Sequence, residues 1–172
     1  MLHKNLRHQV EEKLLTSYES MYRIAYTYVK NADDALDIVQ DSAYKAIKNA
    51  KSIKQEEYIE TWIYKIVINC AIDFLKRNKR EMATESLEEL HHIGTTDHYM
   101  DFDTIRALDV LNEKERTVII LRFFEEKKLD EIAAVMGLNG NTVKSTLYRS
   151  LQKLKTELEK GEMPYEGYCG NQ

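Results

Sequence analysis

The sequence has one proline, Pro164, and six glycines in 172 residues. Helix breakers this sparse favour long helices over a turn-rich β-protein. Two cysteines, Cys70 and Cys169, are too few for a disulfide framework or a zinc site. No run of about 18 apolar residues occurs, so no membrane span is expected. The opening "MLHKNLRHQVEEKLL" carries no apolar core of the secretory-signal kind. There is no glycine-rich phosphate loop and no nucleophile–base pair, so neither catalysis nor a cofactor is expected. The stretch "HHIGTTDH" gathers His91, His92, Asp97 and His98, but without ligand spacing on a regular element, so no metal is expected either. These absences point to a cytosolic, helical, non-enzymatic protein.

What is present supports a globular chain. Apolar residues make up 43% and charged residues 31%, a balance that excludes a disordered polymer. The length suits one ordinary domain or two small ones. The net charge of −4 argues against nucleic acid only until its pattern is read. Residues 62–80 carry Lys65, Lys76, Arg77, Lys79 and Arg80 against Asp73 alone. Residues 141–160 carry Lys144, Arg149, Lys153, Lys155 and Lys160 against Glu157 and Glu159. Between them, residues 81–103 hold seven acids and no Lys or Arg. A local basic patch can dock on phosphate even when the whole chain is mildly acidic, because the nearby field is what a groove feels.

Apolar spacing predicts helices over 11–30, from Asp33 as N-cap to about Lys48, and from about Ile59 to Arg80, with a loop over 49–58. They share one apolar face and make a first small bundle. The acidic stretch 81–103 reads as a linker, with a short helix at 85–90. A second group follows: "TIRALDVL"; "NEKERTVIILRFFEE", capped by Asn112 and burying Val118, Leu121 and Phe124; and "LDEIAAVMG", closed by Gly137. The last helix is capped by Asn141 or Thr142 and carries the stripe Val143, Leu147, Leu151, Leu154 and Leu158.

The stretch "LDEIAAVMGLNGNTVKSTLYRSLQKL" reads as a helix–turn–helix. Ile132, Ala133, Met136 and Leu138 face Val143 and Leu147, the small Ala133 and Ala134 permit close approach, and Gly137 permits the turn. The outward face of the second helix begins Thr142, Lys144, Ser145, Thr146, Tyr148 and Arg149. Cations suit guanine O6 and N7, and hydroxyls suit base edges or phosphate. The same face could instead be the solvated side of a plain bundle. In "TWIYKIVINCAIDFLKRNKR", Trp62 and Tyr64 could stack on unpaired bases while the cations track a backbone; the alternative is a core Trp62 and a solvated helix end. Asp33, Asp37 and Asp41 share a helix face that suits a basic protein partner, or is simply hydrated.

In order and spacing, "DALDIVQD", "TWIYKIVINCAIDFLKRNKR", an acidic linker and "LNEKERTVIILRFFEEKKLDEIAAVMGLNGNTVKSTLYRSLQKLK" together resemble the extracytoplasmic-function group of bacterial sigma factors, in the sigma-70 family. The resemblance covers about residues 15–158. It implies an all-α fold of two small helical domains: a region 2-like domain over 1–80, the acidic linker over 81–103, a region 4-like helix–turn–helix domain over 104–160, and a tail over 161–172. It implies binding to the β′ clamp helices of core RNA polymerase through Asp37, Gln40 and Asp41. It also implies melting and recognition of the −10 promoter element by Trp62, Asn69, Asp73, Lys76, Arg77 and Arg80, with the 49–58 loop holding a flipped base. The −35 element would be read by Thr142, Lys144, Ser145, Tyr148 and Arg149. The family further implies an anti-sigma partner, often membrane-anchored.

Two positions depart from the family. A Phe common among relatives is replaced by Ala43, with Tyr44 following, and an Arg common among relatives is Thr146. The competing function is a stand-alone helix–turn–helix regulator. That reading needs a dimer seam for two half-sites, which the sequence does not display, and leaves the first bundle without a role. A protein-binding helical adaptor leaves both basic helices unexplained.

Overall fold

The computed structural model describes residues 2–84 and 107–161. Among these residues every regular element is helical. The first group comprises α1 (Leu2–Thr16), α2 (Tyr18–Val29), α3 (Ala32–Asn49) and α4 (Ile59–Thr84). The second comprises α5 (Glu113–Ile119), α6 (Leu129–Met136) and α7 (Gly140–Gly161). The all-α expectation is met. Most of the expected linker, with the short helix at 85–90, and the tail beyond Gly161 lie outside the described residues.

The first group departs from expectation at its ends. The helix expected over 11–30 is two helices that meet at Ser17, whose backbone (φ −99, ψ 7) leaves helical geometry while its N–H still reaches the Lys13 carbonyl at 2.9 Å. Lys30 ends α2 in the left-handed region at φ 54. Asn31, not Asp33, caps α3: its side chain accepts from the Asp34 N–H at 3.0 Å. Asp33 instead sits in the first turn, where a carboxylate complements the exposed N–H groups of the helix end. The 49–58 loop contains two 3-10 turns, Ala50–Ser52 and Glu56–Tyr58, and tucks Ala50 and Ile53 into the core. Helix α4 continues to Thr84, four residues beyond its expected end and into the stretch assigned to the linker. The bundle closes on Met21, Ile24, Ile38, Ile59, Ile63 and Val67.

In the second group Asn112 forms a full capping box with Glu115, its side chain accepting from Glu115 N–H and its own N–H donating to Glu115 Oε2, both at 3.0 Å. Glu115 is buried. Burial pushes its carboxyl up, but Lys153 Nζ at 2.8 Å and the Asn112 N–H outweigh this and hold it below the ordinary range. The predicted long helix through "RFFEE" changes character after Ile119. Ile120–Phe124 is a π-helical turn, closed by Glu125 N–H on the Ile120 carbonyl at 3.1 Å. Phe124 is therefore only half-buried and Phe123 is exposed, against the expectation that Phe124 is core. The core is Val118, Leu121, Ile132, Val143 and Leu147. The leucine stripe of α7 ends early: Leu154 is half-buried, but Leu151 and Leu158 are exposed, Leu158 at 60%.

The two groups touch, with α4 packed against α6. Arg23 of α2 donates to the Phe124 carbonyl at 3.3 Å and to Glu125 Oε1 at 3.2 Å. Tyr64 of α4 donates to the other Glu125 oxygen at 3.1 Å. The hydroxyls of Tyr28 and Thr117 bond each other, Lys127 pairs with Glu60, and Lys30 pairs with Asp109. Burial pushes the Tyr28 phenol up to about 12.

Candidate nucleic-acid and polymerase interface

The helix–turn–helix forms as the spacing requires. Gly137 ends α6 at φ 65, a left-handed conformation that glycine adopts at least cost, and Leu138 N–H returns to the Ala133 carbonyl at 3.0 Å. The cap of α7 is Asn139 rather than Asn141 or Thr142. Its Oδ1 accepts from the Thr142 N–H at 2.8 Å and from the Thr142 hydroxyl at 2.9 Å. Asn139→Ala should therefore lower the melting free energy by about 1 kcal/mol, the usual cost of losing such a cap. Thermal unfolding followed by circular dichroism checks this, and an unchanged melt would assign the cap elsewhere. Ala133 is half-buried as expected, but Ala134 faces solvent, so one small residue provides the close approach.

The outer face of α7 presents Lys144, Ser145, Tyr148 and Arg149, all exposed, with Tyr148 at 60%. Arg149 leans on its own helix, at 3.4 Å from the Ser145 carbonyl and 3.5 Å from the Thr146 hydroxyl, contacts long enough to exchange for a stronger acceptor. Thr142 is half-buried with its hydroxyl committed to Asn139. Thr146 is buried, so this departure from the family lies on the inner side of the helix. Asn141, treated from sequence as a cap candidate, is exposed on the second residue of α7 and joins the outward face.

On α4, Asn69, Asp73, Lys76, Arg77 and Arg80 are all exposed and recur at helical spacing. Trp62 is half-buried and divides between the two readings. It packs against the core and also lines a cavity of about 320 Å³ with Lys45, Asn49, Ser52, Ile66, Asn69 and Cys70. Tyr64 is not a stacking platform: it is buried, with its hydroxyl on Glu125. Sequence reasoning missed Lys45, which joins two predicted sites. Its Nζ lies 2.8 Å from Asp41 Oδ2 and 3.3 Å from Cys70 Sγ. The hydrogen bond from Lys45 holds the Asp41 carboxyl below its ordinary value, and Asp41 in turn raises the Lys45 ammonium. The available signal was the spacing, since Asp41 and Lys45 stand four residues apart on one helix.

On α3, Asp37 and Gln40 are exposed and Asp41 is half-buried. Asp33 is exposed one turn before them. The other family departure is accommodated nearby: Ala43 is half-buried, and Tyr44 points outward with Lys48 Nζ 5.8 Å from its ring centre. The arrangement thus offers three faces: an acidic one on α3, a mainly cationic one with Asn69 and Asp73 on α4 beside the cavity that Trp62 lines, and a cation-and-hydroxyl one on α7. No helix among the described residues is long and apolar enough to cross a membrane, and no group of metal-ligating side chains is found among them.

Residues 15–81 match the sigma-70 region 2 family and residues 102–154 match sigma-70, region 4. The chain is 48% identical to the RNA polymerase sigma factor SigV of Bacillus subtilis, across 84% of this chain and 88% of that protein. It is 30% identical to the RNA polymerase sigma-E factor of Streptomyces coelicolor, across 87% and 86%. In fold it is similar to the sigma factor RpoE of Bartonella quintana, solved with the anti-sigma factor NepR, at a TM-score of 0.74, 24% identity and coverage of 87% and 96%. It is likewise similar to CnrH, solved with the cytosolic domain of CnrY, at a TM-score of 0.67, 18% identity and coverage of 90% and 97%. The two sigma regions, in order, with relatives this similar along most of their length, make the chain an RNA polymerase sigma factor of the sigma-70 family, in its extracytoplasmic-function group.

Proposed function

We propose that this sigma factor acts in the cytoplasm without catalysis of its own, by docking on core polymerase and supplying two DNA-reading faces. Asp37, Gln40 and Asp41 meet the β′ clamp helices, with Lys45 steadying Asp41. Asn69, Asp73, Lys76, Arg77 and Arg80 follow the strand of the −10 element. Trp62 and the cavity beside the 49–58 loop take an unpaired base from it. Thr142, Lys144, Ser145, Tyr148 and Arg149 read the −35 element in the major groove. Each face alone binds weakly. Held together on polymerase, the second binds at the high effective concentration that a tether gives. An anti-sigma protein, membrane-anchored in one form of such regulation, would hold the factor off polymerase.

The observation that carries this reading is the exposure of the α7 face and the α4 face in one chain that also displays an acidic helix, an arrangement with no use in a lone repressor. Run-off transcription with core RNA polymerase on genomic fragments of the host tests it. Start sites that depend on the chain are expected; none, with tight DNA binding by the chain alone, would favour a stand-alone regulator. Asp37→Lys tests the polymerase face. Reversing one exposed charge at a complementary surface should weaken core binding roughly tenfold, about 1.4 kcal/mol, with helicity unchanged. Equal affinity for core would remove Asp37 from the interface.

A further inference from the structure

We infer that Lys45 is shared between the two proposed faces of the first helical group. In the free chain Asp41 holds its ammonium. When polymerase takes up the Asp41 carboxylate, the ammonium turns to a backbone phosphate of the single strand that enters the Trp62 cavity. The inference rests on the promoter reading above and adds to it one contact and one coupling. Polymerase docking and strand capture then favour each other through a single side chain.

The geometry puts Lys45 at the junction. Its Nζ stands 2.8 Å from Asp41 Oδ2 and 3.3 Å from Cys70 Sγ. Asp41 belongs to the acidic face of α3, whereas Cys70 belongs to the wall of the cavity. The Asp41 carboxyl is held down first by Lys45, against some burial, and then by the Cys70 thiol and by Arg77 of the α4 face. The acidic face and the cationic face thus meet at this carboxylate.

Among the described residues that line the cavity, Lys45 alone is charged. Trp62 offers a ring on which an unpaired base can stack. Two polar neighbours are committed to the backbone: the Asn49 amide donates to the Lys45 carbonyl at 2.9 Å, and the Ser52 hydroxyl donates to the Asn49 carbonyl at 2.8 Å. These bonds tie the last turn of α3 to the 3-10 turn after it and steady the rim on which Lys45 stands. A strand that lays a base against Trp62 brings a phosphate with it, and Lys45 is the cation placed to meet that phosphate.

The hold on Lys45 is weak enough to exchange. A thiol is a poor acceptor, so Asp41 is what keeps the ammonium in place. The side chains of the pair are 43% and 42% exposed, and ion pairs so exposed shift an equilibrium by at most about fivefold. A polymerase cation on the carboxylate, or a phosphate on the ammonium, competes with it on even terms.

The test uses the full chain, alone and bound to saturating core polymerase. The probe is a fluorescent oligonucleotide carrying one strand of the −10 region of a promoter mapped by run-off transcription. Anisotropy reads binding across a salt series. In the holoenzyme, Lys45→Gln should weaken binding about three- to fivefold and lower the salt slope by about 0.7, the share of one single-strand phosphate. Lys45→Arg should keep the slope, and Lys45→Met serves if Lys45→Gln loses helicity. In the free chain, Asp41→Ala should strengthen binding about threefold and steepen the slope by the same 0.7 or so. Adding Lys45→Gln should abolish that gain. Adding Lys48→Gln instead, which leaves the same net charge, should preserve it.

An unchanged slope in a helical Lys45→Gln holoenzyme overturns the phosphate contact. A free Asp41→Ala chain that gains nothing, or whose gain survives Lys45→Gln, overturns the exchange. Either result from a holoenzyme that still initiates at the mapped promoter leaves the promoter reading standing. A failure to find any start site sinks the promoter reading and the inference with it.

Discussion

Arg149→Ala should weaken promoter binding by the polymerase holoenzyme by about 1–3 kcal/mol, a loss of about 5- to 150-fold, while core binding stays as it was. The magnitude follows from the geometry. Arg149 is exposed on the outer face of α7, and its contacts with Ser145 and Thr146 are 3.4 and 3.5 Å long. Its guanidinium therefore gives up little when it turns to a guanine edge or a phosphate. The two targets are separable. A base contact makes the loss depend on the identity of one −35 position. A phosphate contact weakens all sequences alike and lowers the salt dependence of binding. Competition binding at two salt concentrations distinguishes them. An unchanged affinity would take Arg149 out of the reading face and leave Lys144 as its cation.

Ile132→Ala should cost about 2–5 kcal/mol, because Ile132 is fully buried where α6 meets α7 and its removal leaves a cavity that helices held by a tight Gly137 turn cannot close. Against total stabilities of about 5–15 kcal/mol for a domain, this is enough to lower the melting temperature by on the order of 10 °C or more. Binding to the −35 element should fall with it, since the angle at which α7 stands is set by that packing. Calorimetry or thermal circular dichroism reads the first effect. A melt within 2 °C or so of wild type would mean that Ile132 is not the keystone of this contact.

Much of the architecture was legible in the sequence because it depends on local patterns. The apolar spacing of α2, α3 and α4, the Asn112 cap and the Gly137 turn each follow from a few neighbouring residues. The structure moves the caps two residues back from Asp33 to Asn31, and two or three back from Asn141 or Thr142 to Asn139, because several cap-competent residues stand close together and the winner is decided by where the preceding chain enters the helix. The early end of the α7 stripe was hidden for a different reason. Leu151 and Leu158 keep the helical period, but the second group offers no surface that far along the helix, and periodicity says nothing about the length of a partner. The residues proposed as sites on α4 and α7 stand out in the sequence as charge and hydroxyl patterns, and those faces are exposed. Lys45, Glu125 and the buried face of Tyr64 do not, since each takes its meaning from a residue distant in the chain or from a bundle neighbour.

The π-helical turn at Ile120–Phe124 sets where the chain points next. Such a turn holds one residue more than an α-turn, and one residue is worth about 100° of rotation around the axis. A three-base deletion in the gene at this turn would restore regular α-geometry and swing Glu125 a quarter-turn or more away from Arg23 and Tyr64. No side chain in either proposed DNA-reading face need change for that to happen. Coupling between the halves of the molecule is thus open to inheritance through insertion and deletion, independently of the substitutions that tune which promoters it reads.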